Sequence, residues 1–311
     1  MSASKSQLSG VRRFRWQSTR GAYLLLALLT ILWSSNWIFM KLALANAHPA
    51  VFNADRTLLA VGCLFAWLIA TRRLRWPHAW GPIVVTGFFQ TTVNFGATTM
   101  AVGGGDVGRA AVLVFTMPFW TLLLAAPILH ERVRGSQWFA IAFAVTGLTL
   151  VVQPWHWHGD LAARGWAVLS GFGWAAGSVA TKYYRREIRL DATNFIAWQM
   201  AAGAIPLVII AHAFAFPATQ WSAAQVLLLV QVGVVSTGLG FVLWVAILAW
   251  LPAGTASMNM LAIPVIALIL SMVVFGETLS REEWLGIAAI ATGLVLVAVP
   301  GLRRRVPAGP R

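Results

Sequence analysis

The sequence is poor in cysteine and in charge. Its single cysteine, Cys63, lies within an apolar stretch. Because a disulfide needs two cysteines, none can form inside the chain. Charged residues make up only 10% of the 311 positions, whereas a soluble domain has about 25%. Nine residues are acidic, and none of them falls at the centre of a long apolar stretch. This composition excludes an ordinary soluble domain.

Catalytic motifs are also lacking. The nucleophile motif G-x-S-x-G does not occur, and the glycine-rich segment 103–108 has no Lys-Ser or Lys-Thr with which to bind phosphate. His156 and His158, with Asp160 nearby, have a spacing that could bind a metal, but a solvated outer loop is the simpler interpretation. We therefore predict no enzyme activity, no cofactor and no metal site.

Long apolar stretches dominate what is present. Hydrophobic residues make up 59% of the chain, and many of the stretches can cross a hydrocarbon core about 30 Å thick. Short connectors rich in glycine, proline or charge separate them. The pattern predicts an all-α polytopic membrane protein with ten transmembrane helices, at residues 21–45, 51–71, 79–101, 107–128, 136–153, 163–183, 192–214, 223–248, 253–275 and 283–300.

The basic residues indicate the orientation of the chain. The net charge is +14, but the lysines and arginines gather at the chain ends and in alternate connectors, so we predict a lipid bilayer and not nucleic acid as the partner. Because basic residues favour the cytoplasmic side, both the segment 1–20 and the tail 301–311 are predicted to be cytoplasmic. The first apolar stretch is too long for a signal-peptide core, and we predict a multi-pass protein of the bacterial inner membrane.

The chain contains an internal duplication. When residues 108–154 are aligned with residues 254–300 at a constant shift of 146, 15 of the 47 positions are identical and no gap is needed. The identities include the pairs Pro118 with Pro264, Glu131 with Glu277, Trp138 with Trp284, and Thr146-Gly147-Leu148 with Thr292-Gly293-Leu294. The two copies are halves of one molecule.

Five helices in each half have a topological consequence. Since five is odd, the second repeat, at 160–300, must enter the membrane upside down relative to the first, at 21–154. Inverted repeats are typical of secondary transporters, in which two halves of opposite orientation allow a pathway to open alternately to either side.

Several motifs carry a resemblance to a known family. The segment Trp33-Ser34-Ser35-Asn36, followed by Lys41, resembles the W-G-S-N-x-x-x-x-K signature of the EamA-type branch of the drug/metabolite transporter superfamily. Arg56 resembles that family's arginine early in the second helix, and the spacing from Pro118 to Glu131 is similar to its repeat motif. The chain looks most similar to the YddG-type exporters, and this resemblance implies export of aromatic and other neutral amino acids.

Polar and aromatic residues in mid-span are the candidate substrate site, because such groups are costly in a bilayer unless they serve a purpose. Gln90 and Asn94 follow one another at i and i+4 on one helix face, with Thr98 one turn further. Together with residues on five other helices they predict a mostly aromatic chamber suited to a small zwitterion. The predicted substrate-binding residues are Trp33, Asn36, Trp37, Gln90, Thr91, Asn94, Phe95, Trp120, Trp174, Ser178, Phe241, Trp244 and Asn259.

Each of these groups also has a purely architectural interpretation. Amides and hydroxyls can hold helices together in a bilayer, and the G-x-x-x-G pair of Gly173 and Gly177 permits close helix contact. Pro118 and Pro264 remove backbone hydrogen bonds in mid-span and are candidates either for hinges or for fixed kinks. Structural roles are predicted for Lys41, Arg56, Glu131, Lys182 and Glu277.

The lack of a mid-span carboxylate bears on the energy source. A proton relay or sodium site usually uses an intramembrane carboxylate or histidine, so the sequence favours facilitated diffusion or exchange over ion-coupled pumping. The predicted function is export of aromatic and other neutral amino acids. The alternatives are a multidrug or other metabolite exporter of the same fold, and an intramembrane enzyme. No catalytic motif in the sequence supports the enzyme.

Overall fold

The computed structural model describes residues 19–130, 135–153, 155, 161–184, 187–248 and 262–303. All regular secondary structure in these ranges is helical. The α-helices are α1 Thr19–Ala43, α2 Pro49–Ala70, α3 Trp80–Gly87, α4 Asn94–Gly104, α5 Val107–Val114, α6 Met117–Ile128, α7 Gly135–Val152, α8 Leu161–Tyr183, α9 Ala192–Ala213, α10 Ala223–Val230, α11 Gly240–Leu248, α12 Ala262–Phe275 and α13 Arg281–Arg303.

The helices coincide with the predicted spans wherever the chain is described. Five helical stretches there are long and apolar enough to cross a membrane by length and composition: Gly21–Ala43, Pro49–Ala70, Val107–Ile128, Ala192–Ala213 and Ala223–Ile247. The prediction of an all-helical fold with apolar helices long enough to span a membrane is therefore confirmed for the described residues. The start of the predicted ninth span, 253–261, lies outside the described residues.

Prolines and polar caps set several helix ends. Pro49 occupies the first turn of α2, where its missing N–H costs nothing, and the His48 side chain accepts a hydrogen bond from the Ala50 amide at 3.3 Å. Asp191 caps α9 through its carboxylate, which accepts from the amides of Thr193 and Asn194. These local signals explain why the short connectors fold as tight helix-to-helix turns.

Two of the helical rods contain π-helical segments. Phe88–Val93, here π1, joins α3 to α4, and Gln231–Leu239, here π2, joins α10 to α11. The two rods are the third predicted span of each half. A π segment leaves backbone carbonyls with altered partners and commonly occurs at functional sites.

The rod from Val107 to Ile128 is broken near its middle. Helix α5 ends at Val114 and α6 begins at Met117, with Pro118 in its first turn. Since proline cannot donate to the carbonyl one turn earlier, the break follows directly from the sequence. Whether Pro118 acts as a hinge or as a fixed kink stays a prediction.

Helices α7 and α13 pack tightly with their backbones in contact. A Cβ placed on Gly147 would lie 2.5 Å from the Gly286 carbonyl oxygen, and one placed on Gly293 would lie 2.9 Å from the Ala140 carbonyl oxygen. As the residue number rises along α7 it falls along α13, so the two helices are antiparallel. The shift of 146 that relates the halves converts Gly147 into Gly293 and Ala140 into Gly286, so each contact is the copy of the other.

Candidate functional site

A cavity lies at the seam between the two halves. This central cavity has a volume of about 140 Å³, room for several water molecules or a small solute. Helices α1, α2, α4, α5 and α6 of the first half line it together with α8, π2, α11 and α12 of the second half. Its walls are Trp33, Asn36, Trp37, Met40, Arg56, Asn94, Phe95, Thr98, Val114, Phe115, Met117, Trp174, Ser236, Thr237, Phe241 and Ile263.

A second cavity adjoins the first and shares Phe95, Trp174 and Phe241 with it. Its volume is about 270 Å³, and it extends along α8 and α9 towards the end of the bundle where Tyr183 and Ala192 lie. Its other walls are Gln90, Ser178, Thr181, Phe195, Ile196, Gln199 and Trp244. The two adjoining cavities, here together called the passage, lie one after the other from the middle of the bundle towards that end.

Aromatic rings from both halves form one wall of the passage. The Trp33 ring lies 5.9 Å from the Phe241 ring and 6.0 Å from the Trp244 ring, measured between centroids. The Trp33 indole donates a hydrogen bond of 2.9 Å to the carbonyl oxygen of Ser236, which belongs to π2. An otherwise apolar wall is thus held in place by a carbonyl of the π segment.

The polar face of π1 and α4 meets a polar face of α8. The Gln90 side-chain amide donates to Ser178 Oγ at 3.2 Å, and the Asn94 amide donates to Ser170 Oγ at 2.9 Å. Thr98 Oγ1 lies 2.6 Å from the same Ser170 hydroxyl. These contacts support the architectural interpretation of the stripe, while all three side chains also border a cavity.

Close approach of α8 to this face depends on its small residues. A Cβ on Gly173 would lie 2.8 Å from a methyl of Val93, and one on Gly177 would lie 2.3 Å from Cγ of Gln90. The prediction that this G-x-x-x-G pair permits close helix contact is confirmed.

Among the described residues, the central cavity has one positive pole and two unpartnered acceptors. Arg56 is the only charged residue among the described residues that line either cavity. Asn36 Oδ1 and Ser236 Oγ are buried and have no hydrogen-bond partner within the described chain. Such groups can accept hydrogen bonds from a bound solute.

Most of the predicted substrate-binding residues border the passage. Ten do so: Trp33, Asn36, Trp37, Gln90, Asn94, Phe95, Trp174, Ser178, Phe241 and Trp244. Thr91 is fully buried and donates a hydrogen bond to Gln199 of α9, and Trp120 packs edge-on against Phe172. Neither is among the residues that line the two cavities. Asn259 lies outside the described residues.

Several lining residues were missing from the predicted set. Most are apolar, such as Met40, Val114 and Ile263. Their residue type alone does not distinguish them from residues that face lipid. Arg56 and Gln199 carried a usable signal, because each is a polar side chain inside a predicted span.

The residues predicted to have structural roles are held in different ways. Lys41 donates to the carbonyl oxygens of Val102 and Gly105 at 2.9 and 2.8 Å, so it neutralises the C-terminal end of α4. Lys182 is exposed at the end of α8, Pro264 is buried in α12, and Glu131 lies outside the described residues.

Glu277 joins the two halves at the end of the bundle opposite the passage. Its carboxylate accepts hydrogen bonds from the amides of Val107 at 2.6 Å and Gly108 at 2.9 Å, which are the first residues of α5. A carboxylate at a helix N-terminus satisfies free N–H groups and opposes the helix dipole. Glu277 therefore caps the N-terminus of α5 from the second half of the chain.

Glu283 forms the centre of an ionic cluster at the same end. Its buried carboxylate accepts two hydrogen bonds from the Arg109 guanidinium. The same carboxylate lies 3.8 Å from the guanidinium of Arg164. Arg109 also pairs with Asp106, and the Ser280 amide donates to Glu283 in a capping box. This charged network, Asp106, Arg109, Arg164, Glu277 and Glu283, ties the α4–α5 corner to the second half.

A cavity at the seam of a membrane protein with two matching halves is typical of a secondary transporter. The EamA-like transporter family matches the chain twice, at residues 20–153 and 162–299. The chain belongs to this family, which is part of the drug/metabolite transporter superfamily.

Known relatives cover nearly all of the chain. It is 25% identical to an "Uncharacterized transporter YoaV" of Bacillus subtilis, over 89% of this chain and 97% of the relative. It is 24% identical to a "Probable amino-acid metabolite efflux pump" of Escherichia coli, over 89% of this chain and 94% of the relative. A solved crystal structure aligns with a TM-score of 0.61 at 19% identity, over 93% of this chain and 100% of that chain, and shows a shared fold.

Proposed function

We propose that this transporter exports small zwitterionic solutes, foremost aromatic and other neutral amino acids, by alternating access through the central cavity. The observation that carries the proposal is the cavity itself, in which aromatic rings, neutral hydrogen-bonding groups and the Arg56 cation meet between the halves. Aromatic walls suit an apolar side chain, and the polar groups suit a charged backbone. The similarity to an amino-acid metabolite efflux pump supports the same substrate class.

The proposed topology has ten crossings of the bacterial inner membrane, with two inverted repeats and both termini in the cytoplasm. The antiparallel packing of α7 against α13 supports the inversion, because these helices occupy the same place in the two repeats. The basic residues of the alternate connectors support the orientation. With this orientation the passage extends towards the cytoplasm and the charged network closes the outer end.

We propose that the concentration gradient of the solute itself drives transport, by facilitated diffusion or exchange. None of the described residues that line the passage is a carboxylate or histidine, whereas ion-coupled carriers usually place such a group beside the substrate. We expect purified protein in liposomes to exchange external labelled phenylalanine, methionine or threonine for the same amino acid loaded inside, without an imposed proton or sodium gradient. Counterflow that appears only with such a gradient contradicts facilitated exchange. Binding of lipophilic cations and of no amino acid contradicts the substrate assignment.

Trp37 and Asn94 provide a test of the site within the same assay. Trp37→Ala and Asn94→Ala are expected to lower the initial exchange rate roughly tenfold or more, since 1.4 kcal/mol of lost binding corresponds to a factor of ten. Trp67→Ala is the control, because this tryptophan is 48% exposed on α2 and borders neither cavity. Normal exchange by both site variants, at normal expression, removes these residues from the substrate site.

A further inference from the structure

Arg56 is a buried cation with no anionic partner among the described residues. It lies in the second turn of α2, is 3% exposed, and borders the central cavity. No carboxylate in the described part of the chain forms a salt bridge with it. Arginine keeps its proton inside proteins, so the cavity carries a full positive charge. A buried charge of this kind is costly in a bilayer unless a partner compensates it.

Neutral groups hold the guanidinium in place but do not neutralise it. Nε donates to Asn53 Oδ1 at 2.9 Å, and Nη2 lies 3.3 Å from Thr99 Oγ1. The guanidinium carbon stands 4.7 Å from the centre of the Phe95 ring, a cation–π distance. Nη1, with two N–H groups, has no hydrogen-bond partner among the described residues, so donors remain for a ligand.

The same cavity contains acceptors for a positive group. Asn36 Oδ1 and Ser236 Oγ are buried without partners in the described chain, and Ser236 is 2% exposed. An ammonium group can donate to both and can lie against the rings of Trp33 and Trp37. The cavity thus presents a fixed cation together with uncharged acceptors, which matches the two charges of a zwitterion.

We propose that Arg56 binds the carboxylate of the transported solute and so selects for organic acids, zwitterions included, over esters and amines of the same shape. The inference rests on the proposed function and deepens it by naming the group that recognises one end of the substrate. A guanidinium forms charge-assisted hydrogen bonds with a carboxylate, so a bound carboxylate supplies the anion that the described part of the chain does not.

A purely structural role for Arg56 gives a different expectation. The side chain also links α2 to α4 through Asn53 and Thr99, so its removal can loosen the bundle. Loosening weakens the binding of every ligand by a similar factor. Loss of the group that binds the carboxylate weakens the binding only of ligands that carry a carboxylate. The ratio of the affinities for an acid and for its ester therefore separates the two roles.

The test measures the affinity of purified protein for phenylalanine, phenylalanine methyl ester, phenethylamine and 3-phenylpropionate. Wild-type protein is expected to bind phenylalanine roughly 10- to 100-fold more tightly than its ester, the range for a hydrogen bond to a charged group. In Arg56→Gln this ratio is expected to fall to about one, and Arg56→Lys is expected to restore part of it. Arg75→Gln, at an exposed arginine of the α2–α3 connector, is expected to keep the wild-type ratio.

The outcomes distinguish this inference from the proposed function. An unchanged ratio in folded Arg56→Gln overturns the carboxylate site, as does equal binding of acid and ester by the wild type, while amino-acid export stands. Binding of 3-phenylpropionate but of no amino acid, with loss of that binding in Arg56→Gln, overturns amino-acid export and supports the carboxylate site. Binding of none of the carboxylates overturns both.

Discussion

Gly203→Val is expected to destabilise the purified protein by about 2–3 kcal/mol, the upper part of the range for overpacking a core. A Cβ at this position would lie 2.2 Å from the Gly87 carbonyl oxygen and 2.5 Å from Cβ of Thr91. The first of these atoms belongs to the backbone and cannot move aside as a flexible side chain can. Helix α9 must therefore shift away from α3, and the melting temperature in detergent should fall by roughly 5 °C or more.

Gly62→Val is the matched control for this substitution. Gly62 lies inside α2, and a Cβ there would meet no atom within 4 Å. Both variants introduce the same β-branched residue into a helix, so any loss from helix propensity is shared. Equal melting temperatures for the two variants would contradict the close α3–α9 contact.

Glu283→Gln is expected to cost about 3 kcal/mol, the lower end of the range for removing one partner of a buried ion pair. The substitution removes the carboxylate that accepts two hydrogen bonds from Arg109 and that lies 3.8 Å from the guanidinium of Arg164. Partial compensation remains, because Arg109 still pairs with Asp106 and Arg164 donates to the carbonyl oxygens of Val151 and Val152. The expected fall in melting temperature is roughly 6–12 °C.

The same variant should also loosen the closed end of the bundle. A cysteine introduced near Thr278, in a Cys63→Ala background, is expected to react faster with a membrane-impermeant thiol reagent in Glu283→Gln than in the parent. Glu187→Gln, at an exposed glutamate in the α8–α9 connector, is the control and should change neither measurement. Unaltered melting and labelling in Glu283→Gln would show that the charged network does not hold the halves together.

The sequence predicted the helices well because hydrophobic length and connector chemistry are local signals. The break at Pro118 follows from the missing N–H of a single residue. The family relationship, which is confirmed, follows from the motif at Trp33–Asn36 with Lys41, from Arg56 and from the proline-to-glutamate spacing. The π segments could not be predicted, since Phe88–Val93 and Gln231–Leu239 have no composition that separates π from α geometry. That choice depends on the helices packed against them.

The polarity of mid-span residues identified only part of the candidate site. Gln90 and Asn94 were recognised because an amide in mid-span is unusual, and both border the passage. Trp120 and Trp174 are both tryptophans inside predicted spans, so the sequence does not distinguish them. In the structure Trp120 packs against Phe172, whereas Trp174 lines both cavities. The direction of a tryptophan side chain is set by neighbours from distant parts of the chain. The ionic partners of Glu283 were missed for the same reason, since Arg109 lies 174 residues away.

The mirrored contacts between α7 and α13 have a mechanical consequence. In a carrier built from two copies of one fold, reversing the direction of opening amounts to letting each copy take on the shape of the other. In the proposed alternating-access cycle, that exchange turns the Gly147–Gly286 contact into the Gly293–Ala140 contact and back again, so we expect this crossing to keep one geometry. We expect the pair to act as the pivot of the proposed motion, because glycine at its contact points brings the two backbones into direct contact.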